Sequence, residues 1–112
     1  MDNNSIDTAI DFPSGEKQPT VYLAGKVTDL PYNEVYSKFM AKQLELEAMG
    51  FKVLNPCLVI RQDAPWDRAM RIALGLLLTA DFICLLHDWH ESEGAKMERS
   101  VALKLNIPSI DN

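Results

Sequence analysis

The chain has 112 residues, a formal net charge of −5 and 47% hydrophobic residues, which suits one compact domain with one core. The acidic balance and the absence of a basic stripe exclude nonspecific nucleic-acid binding, which needs a cationic face to displace counterions. The most apolar run, Ile72 to Ala80, is too short to span a bilayer, so no membrane partner is expected.

Residues 1–18 are polar and acidic, with neither the basic start nor the apolar core of a signal peptide. They read as a flexible tail ahead of an α/β domain over residues 19–112. Thr20-Val21-Tyr22-Leu23-Ala24 is β-rich and ends at Gly25, where the backbone can turn sharply. Pro31 and Asn33 open a long helix with Val35, Phe39, Leu46 and Met49 on one stripe, and Gly50 has the form of its stop. Phe51-Lys52-Val53-Leu54 is a short strand closed by Asn55-Pro56. Asp63 and Pro65 start a second helix, with Met70, Ala73, Leu74 and Leu77 at helical spacing. Asp81 precedes the apolar run Phe82-Ile83-Cys84-Leu85-Leu86, which suits a strand covered on both faces. The last helix runs from Ser92 to Leu105, and Asn106 caps it before Ile107-Pro108-Ser109-Ile110. Cys57 and Cys84 are isolated thiols in different elements, which fits a reducing cytoplasm and no disulfide framework.

Strand–helix alternation of this kind predicts a small doubly wound sheet of flavodoxin-like or Rossmann-like type. It would have four or five mainly parallel strands and helices on both faces. Ligands bind such sheets at the carboxyl ends of the strands, where strand order reverses. Three loops meet on that edge: Gly25 to Leu30, Asn55 to Ala64, and His87 to Ser92. They carry Lys26, Thr28, Asn55, His87, Asp88, Trp89, His90, Glu91 and Ser92.

Glu98 stands out within the last helix. At about 100° per residue, Ala95, Val101, Ala102 and Leu105 surround it, while Lys96, Ser100 and Lys104 fall on the opposite face. A carboxylate on a buried face must be paired, neutralised or turned toward a cavity, because an unpaired buried charge costs several kcal/mol. The bland reading is a structural bond to an Arg or a backbone amide. The functional reading is a reactive group at the ligand edge.

Tyr22-Leu23-Ala24-Gly25, Asn55-Pro56, Trp66 with Met70-Arg71, Ala80-Asp81, Leu85-Leu86, Trp89 and Ser92-x-Gly94-Ala95-x-x-Glu98 occur here in order. In this the chain resembles a family of small uncharacterised domains within the nucleoside 2-deoxyribosyltransferase-like superfamily. That family is similar to the deoxynucleoside 5′-monophosphate N-glycosidases. The resemblance covers roughly Val21 to Ile110 and implies cleavage or transfer at the N-glycosidic bond of a nucleoside or nucleoside 5′-monophosphate. It implies Glu98 as the nucleophile, with Tyr22, Gly25, Ser92 and Gly94 shaping the pocket and Ser92 with nearby amides holding a phosphate. It also implies a homodimer or larger homo-oligomer, and the helix after Trp66, apolar nearly all round, is the surface for it.

One departure concerns the acid that assists the leaving base in these enzymes. Its position, eight residues before Asp81, is Ala73 here. Asp67 is the expected stand-in, since the start of its helix reaches the ligand edge; Asp81 begins its strand and lies at the far end. Loss of the acid leaves a second reading, a catalytically silent nucleotide or nucleotide-sugar binding module. Lys26 is a candidate for the phosphate, or else a solvated surface lysine. Trp89 either stacks on a nucleobase or clamps its loop to the core. His87, Asp88, His90 and Glu91 show no established ligand spacing, so no metal is expected. Gly25 is a lone glycine and no dinucleotide fingerprint, so no cofactor is expected. Cys57 has no catalytic partner and reads as an inert thiol.

Overall fold

The computed structural model describes residues 18–110. The expected tail over residues 1–18 lies outside the described residues apart from Gln18. Four strands, β1 (Thr20–Ala24), β2 (Lys52–Leu54), β3 (Phe82–Leu85) and β4 (Ser109–Ile110), alternate with three α-helices. The helices are α1 (Tyr32–Ala48), α2 (Trp66–Leu77) and α3 (Glu93–Lys104). The sheet order is β2-β1-β3-β4 and every pairing is parallel. Tyr22 lies between Leu54 and Ile83 in the register. The chain moves outward from β1 to β2, then crosses back to β3, so strand order reverses between β1 and β3. No helix among the described residues is long and apolar enough to cross a membrane.

Strand pleating explains how one β1 sequence feeds two cores. Val21 and Leu23 point to one face and pack with Val35, Phe39 and Leu46 of α1, joined by Cys84 and Leu86. Tyr22 and Ala24 point to the other face and pack with Ala73 and Leu77 of α2 and Ala95 and Ala102 of α3, joined by Ile83. Because successive side chains alternate, a strand covered on both sides must be apolar throughout, as Val21-Tyr22-Leu23-Ala24 is. The reversal of strand order at β1 puts α1 on one face and α2 and α3 on the other, the arrangement that right-handed crossovers require.

Helix ends follow local chemistry. Ser92 caps α3, its Oγ accepting from the Ala95 N–H at 3.0 Å. Gly50 ends α1 at φ 101°: its N–H donates to the Glu47 carbonyl, and the Phe51 N–H donates to the Leu46 carbonyl. Asn106, at φ 61°, repeats this at the end of α3, with Ile107 N–H donating to the Ala102 carbonyl. Both are left-handed caps that satisfy the last carbonyls. Met49 and Leu105, expected on buried stripes, are 61% and 53% exposed. Each is the residue at which its helix gives out, so neither is held over the sheet. Asp63 precedes α2 and instead bonds Arg61.

Asp81 lies just before β3, at the end of the sheet opposite the ligand edge. Its Oδ2 accepts from both the N–H and the hydroxyl of Thr20, at 2.9 and 3.1 Å. Its own N–H donates to the Thr20 carbonyl and Oγ1, both at 3.0 Å. It thus staples the starts of β1 and β3.

Candidate active site

A cavity of about 510 Å³ opens at the carboxyl ends of β1 and β3, where strand order reverses. The floor comes from Tyr22 on β1 and Ala95 and Glu98 on α3, one wall from the Val27–Leu30 loop, and another from Trp66, Ala69, Met70 and Ala73 of α2. Tyr22, Gly25, Ser92, Gly94 and Glu98 all line it, although they come from segments far apart in the chain.

Glu98 is 5% exposed and Tyr22 1%. The Tyr22 hydroxyl donates to Glu98 Oε2 at 2.7 Å, across 76 residues of sequence. No lysine, arginine or histidine among the described residues pairs with Glu98. Among the described residues, then, Glu98 has the Tyr22 hydroxyl where the bland reading expected an Arg or a backbone amide. Burial raises the Glu98 carboxyl from 4.5 to about 7, against the opposing pull of the Tyr22 hydrogen bond. Burial also raises Tyr22 well above its ordinary value, and the charge and hydrogen bond of Glu98 add to that. The hydroxyl therefore stays protonated and donates to the carboxylate. A carboxylate that ionises near neutrality, faces a cavity and lacks a cation is suited to attack or stabilise an electron-poor carbon.

Two glycines shape the cavity by leaving space. A methyl group on Gly25 would sit 2.7 Å from Leu86 Cδ1 and 2.9 Å from Leu86 Cβ. Gly25 is thus required by the close approach of the next strand's end; its φ is not in the left-handed region, unlike that of Gly50. A methyl on Gly94 would meet Met70 Sδ at 2.9 Å.

Three expected site residues lie outside the cavity wall. Asp67 is exposed in the first turn of α2. The cavity takes the Trp66, Ala69, Met70, Ala73 stripe of that helix, and Asp67, about 100° round from Trp66, is not on it. Lys26 turns away: its ammonium lies 3.5 Å from Glu91, and its backbone N–H donates to Asp88 Oδ1 at 3.0 Å. Trp89 is half-buried against the α2–α3 side of the sheet, with the Arg99 guanidinium 4.8 Å from its ring centroid. It clamps its loop. Ala73 is 4% exposed and lines the cavity.

The structure also supplies residues that sequence reading passed over. Asp29, at φ 69°, is the one carboxylate besides Glu98 among the described residues lining the cavity, and Arg61 is the one base. Both belong to loops that the ligand-edge argument had already marked, but nothing in their local sequence separates them from solvated loop charges. Cys57 lines the cavity too, and burial raises its thiol to about 11 despite the nearby charge of Lys38. That keeps it a thiol, unsuited to nucleophilic attack at neutral pH.

A family model described as a domain of unknown function (DUF4406) matches residues 19–111, and the chain belongs to that family. No match was found among curated proteins or among solved structures.

Proposed function

We propose that this domain cleaves or transfers the N-glycosidic bond of a nucleoside or nucleoside 5′-monophosphate, with Glu98 as nucleophile. One observation carries the reading: a buried carboxylate with a tyrosine hydroxyl as its partner and no cation among the described residues, facing a cavity at the switch point of a parallel sheet. Attack of Glu98 on the anomeric carbon would form a covalent glycosyl ester as the bond to the base breaks. Water or a second base would then release the sugar. The Tyr22 hydroxyl orients the carboxylate, and the apolar surroundings strengthen its attraction for the positive charge that develops on the sugar. The cap of α3 supports a 5′-phosphate subsite, since helix N-termini bind anions and Ser92 stands at the cavity wall. Arg61, which lines the cavity and is paired with Asp63 in the unliganded protein, is the candidate cation for that subsite in place of Lys26.

A specific observation favours the silent binding module as the second reading: Ala73 occupies the cavity wall and Asp67 does not. Under the cleavage reading, Asp29 takes the place of Asp67 as the candidate to assist the departing base. Incubation with a panel of nucleosides and their 5′-monophosphates, followed by chromatography for free base, tests the proposal. Release of base supports it. Thermal stabilisation by nucleotides with no base released supports the binding module instead.

A further inference from the structure

Asp88 is the other strongly buried carboxylate among the described residues, at 8% exposure, and it does not line the Glu98 cavity. Its Oδ2 is ion-paired with Lys38 Nζ of α1, while its Oδ1 accepts from the Lys26 N–H at 3.0 Å. The same Lys38 ammonium donates to the Lys26 carbonyl at 2.7 Å. Both backbone groups of Lys26 are thus held by one ion pair. Burial pushes the Asp88 carboxyl up, but the hydrogen bonds from Lys38 and Lys26 and the charges of Lys38 and His87 outweigh it and hold the group below its ordinary value.

The location gives this pair a consequence. Just before it, the Leu86 N–H donates to the Ala24 carbonyl at 2.8 Å, carrying the β1–β3 ladder one residue past the end of β3. Lys26 lies just past the end of β1, and the next residues, Val27 to Leu30, form the cavity wall that carries Asp29. Val27, Thr28 and Asp29 are exposed, so packing holds the wall only at Leu30, which rests against the α1-side core, and its start depends on Lys26.

We propose that Asp88 and Lys38 are positioning residues: their ion pair anchors the Lys26 backbone and so sets the Val27–Leu30 wall, with Asp29, against Glu98. Its consequence for ligand binding rests on the functional reading above, while its consequence for the loop does not.

Amide exchange on the unliganded protein and nucleotide affinity, measured on the same variants, test it. Asp88→Asn keeps an acceptor for Lys26 and loses the charge; Lys38→Met keeps the length and loses the charge; Lys38→Arg keeps the charge. The first two should speed exchange across Val27–Leu30 by about tenfold or more while α2 and α3 amides stay as protected as in the native protein, and Lys38→Arg should stay near native. The same two should weaken the best-bound 5′-monophosphate of the panel by about tenfold, because the competent wall is less populated. Unchanged loop exchange, or faster exchange everywhere, would overturn the proposal. So would a freed loop with unchanged affinity. If the native protein binds none of the panel, the glycosidic reading fails and the exchange comparison alone decides the positioning of the wall.

Discussion

Because burial raises the Glu98 carboxyl from 4.5 to about 7, ionising it in the folded protein opposes folding. The stabilising contribution of the protonated form is complete below pH 4.5 and is lost as pH rises through about 7. The shift corresponds to about 3 kcal/mol. Glu98→Gln keeps the volume and an acceptor for Tyr22 and has no charge to desolvate. Its melting temperature should equal the native value at acidic pH and exceed it above pH 8, since the whole titration is then past. Thermal melts of the two proteins across pH check this; a variant that melts lower at every pH would mean that a charged partner had been stranded. Turnover by Glu98→Gln should fall by several orders of magnitude if the carboxylate is the nucleophile. In the native protein any such turnover should rise with pH through about 7, as Glu98 ionises. A rate profile flat from pH 5 to 9 would contradict that role.

At the scale of elements, close approach and capping make separable demands. Gly25→Ala forces a methyl into Leu86 Cβ, at 2.9 Å, and that atom is fixed to the backbone of the next strand's end. The expected cost is about 1–3 kcal/mol, read as a lowered denaturation midpoint. Gly94→Ala meets the Met70 thioether, a flexible side chain, so its fold should suffer less while the cavity narrows and ligand binding weakens. Ser92→Ala removes the cap on the Ala95 N–H and should cost about 0.5–2 kcal/mol. The same change should narrow the preference for a 5′-monophosphate over its nucleoside. Equal affinity of the native protein for both ligands would remove the phosphate subsite and leave the Glu98 assignment untouched.

Across the whole molecule, all three helices leave apolar side chains exposed, and α2 does so at its two ends. Met70, Ala73 and Leu77 are buried, yet Trp66 and Leu78 remain 49% and 56% exposed. Self-association through this helix is the expected outcome, since exposed apolar surface on a small domain favours burial against a partner. Sedimentation at micromolar concentration checks it, and a purely monomeric profile would reject it. If Trp66, which also lines the cavity, lies at that interface, Leu78→Glu should shift the assembly toward monomer.

Much of this architecture is legible in the chain itself. Thr20–Ala24 reads as a strand because it is β-rich and ends at a glycine, and Phe82–Leu86 reads as a strand covered on both faces because it is apolar throughout. Gly50 and Asn106 read as helix stops because few other residues tolerate left-handed backbone. Ser92 reads as a cap because its oxygen reaches an amide three residues away. Glu98 is conspicuous because helical periodicity alone turns it toward apolar neighbours. These features depend on contacts within a few residues, and local chemistry is enough to decide them. The partner of Glu98 is different: Tyr22 lies 76 residues away, and only the order β2-β1-β3-β4 brings the two side chains to one cavity. Tertiary structure also decides that Asp67, Lys26 and Trp89 do not line that cavity while Asp29 and Arg61 do, and that Gly25 is needed for the proximity of Leu86. A sequence pattern can place a residue on an edge of the sheet, but what its side chain faces is settled by the neighbouring elements, and those arrive from distant parts of the chain.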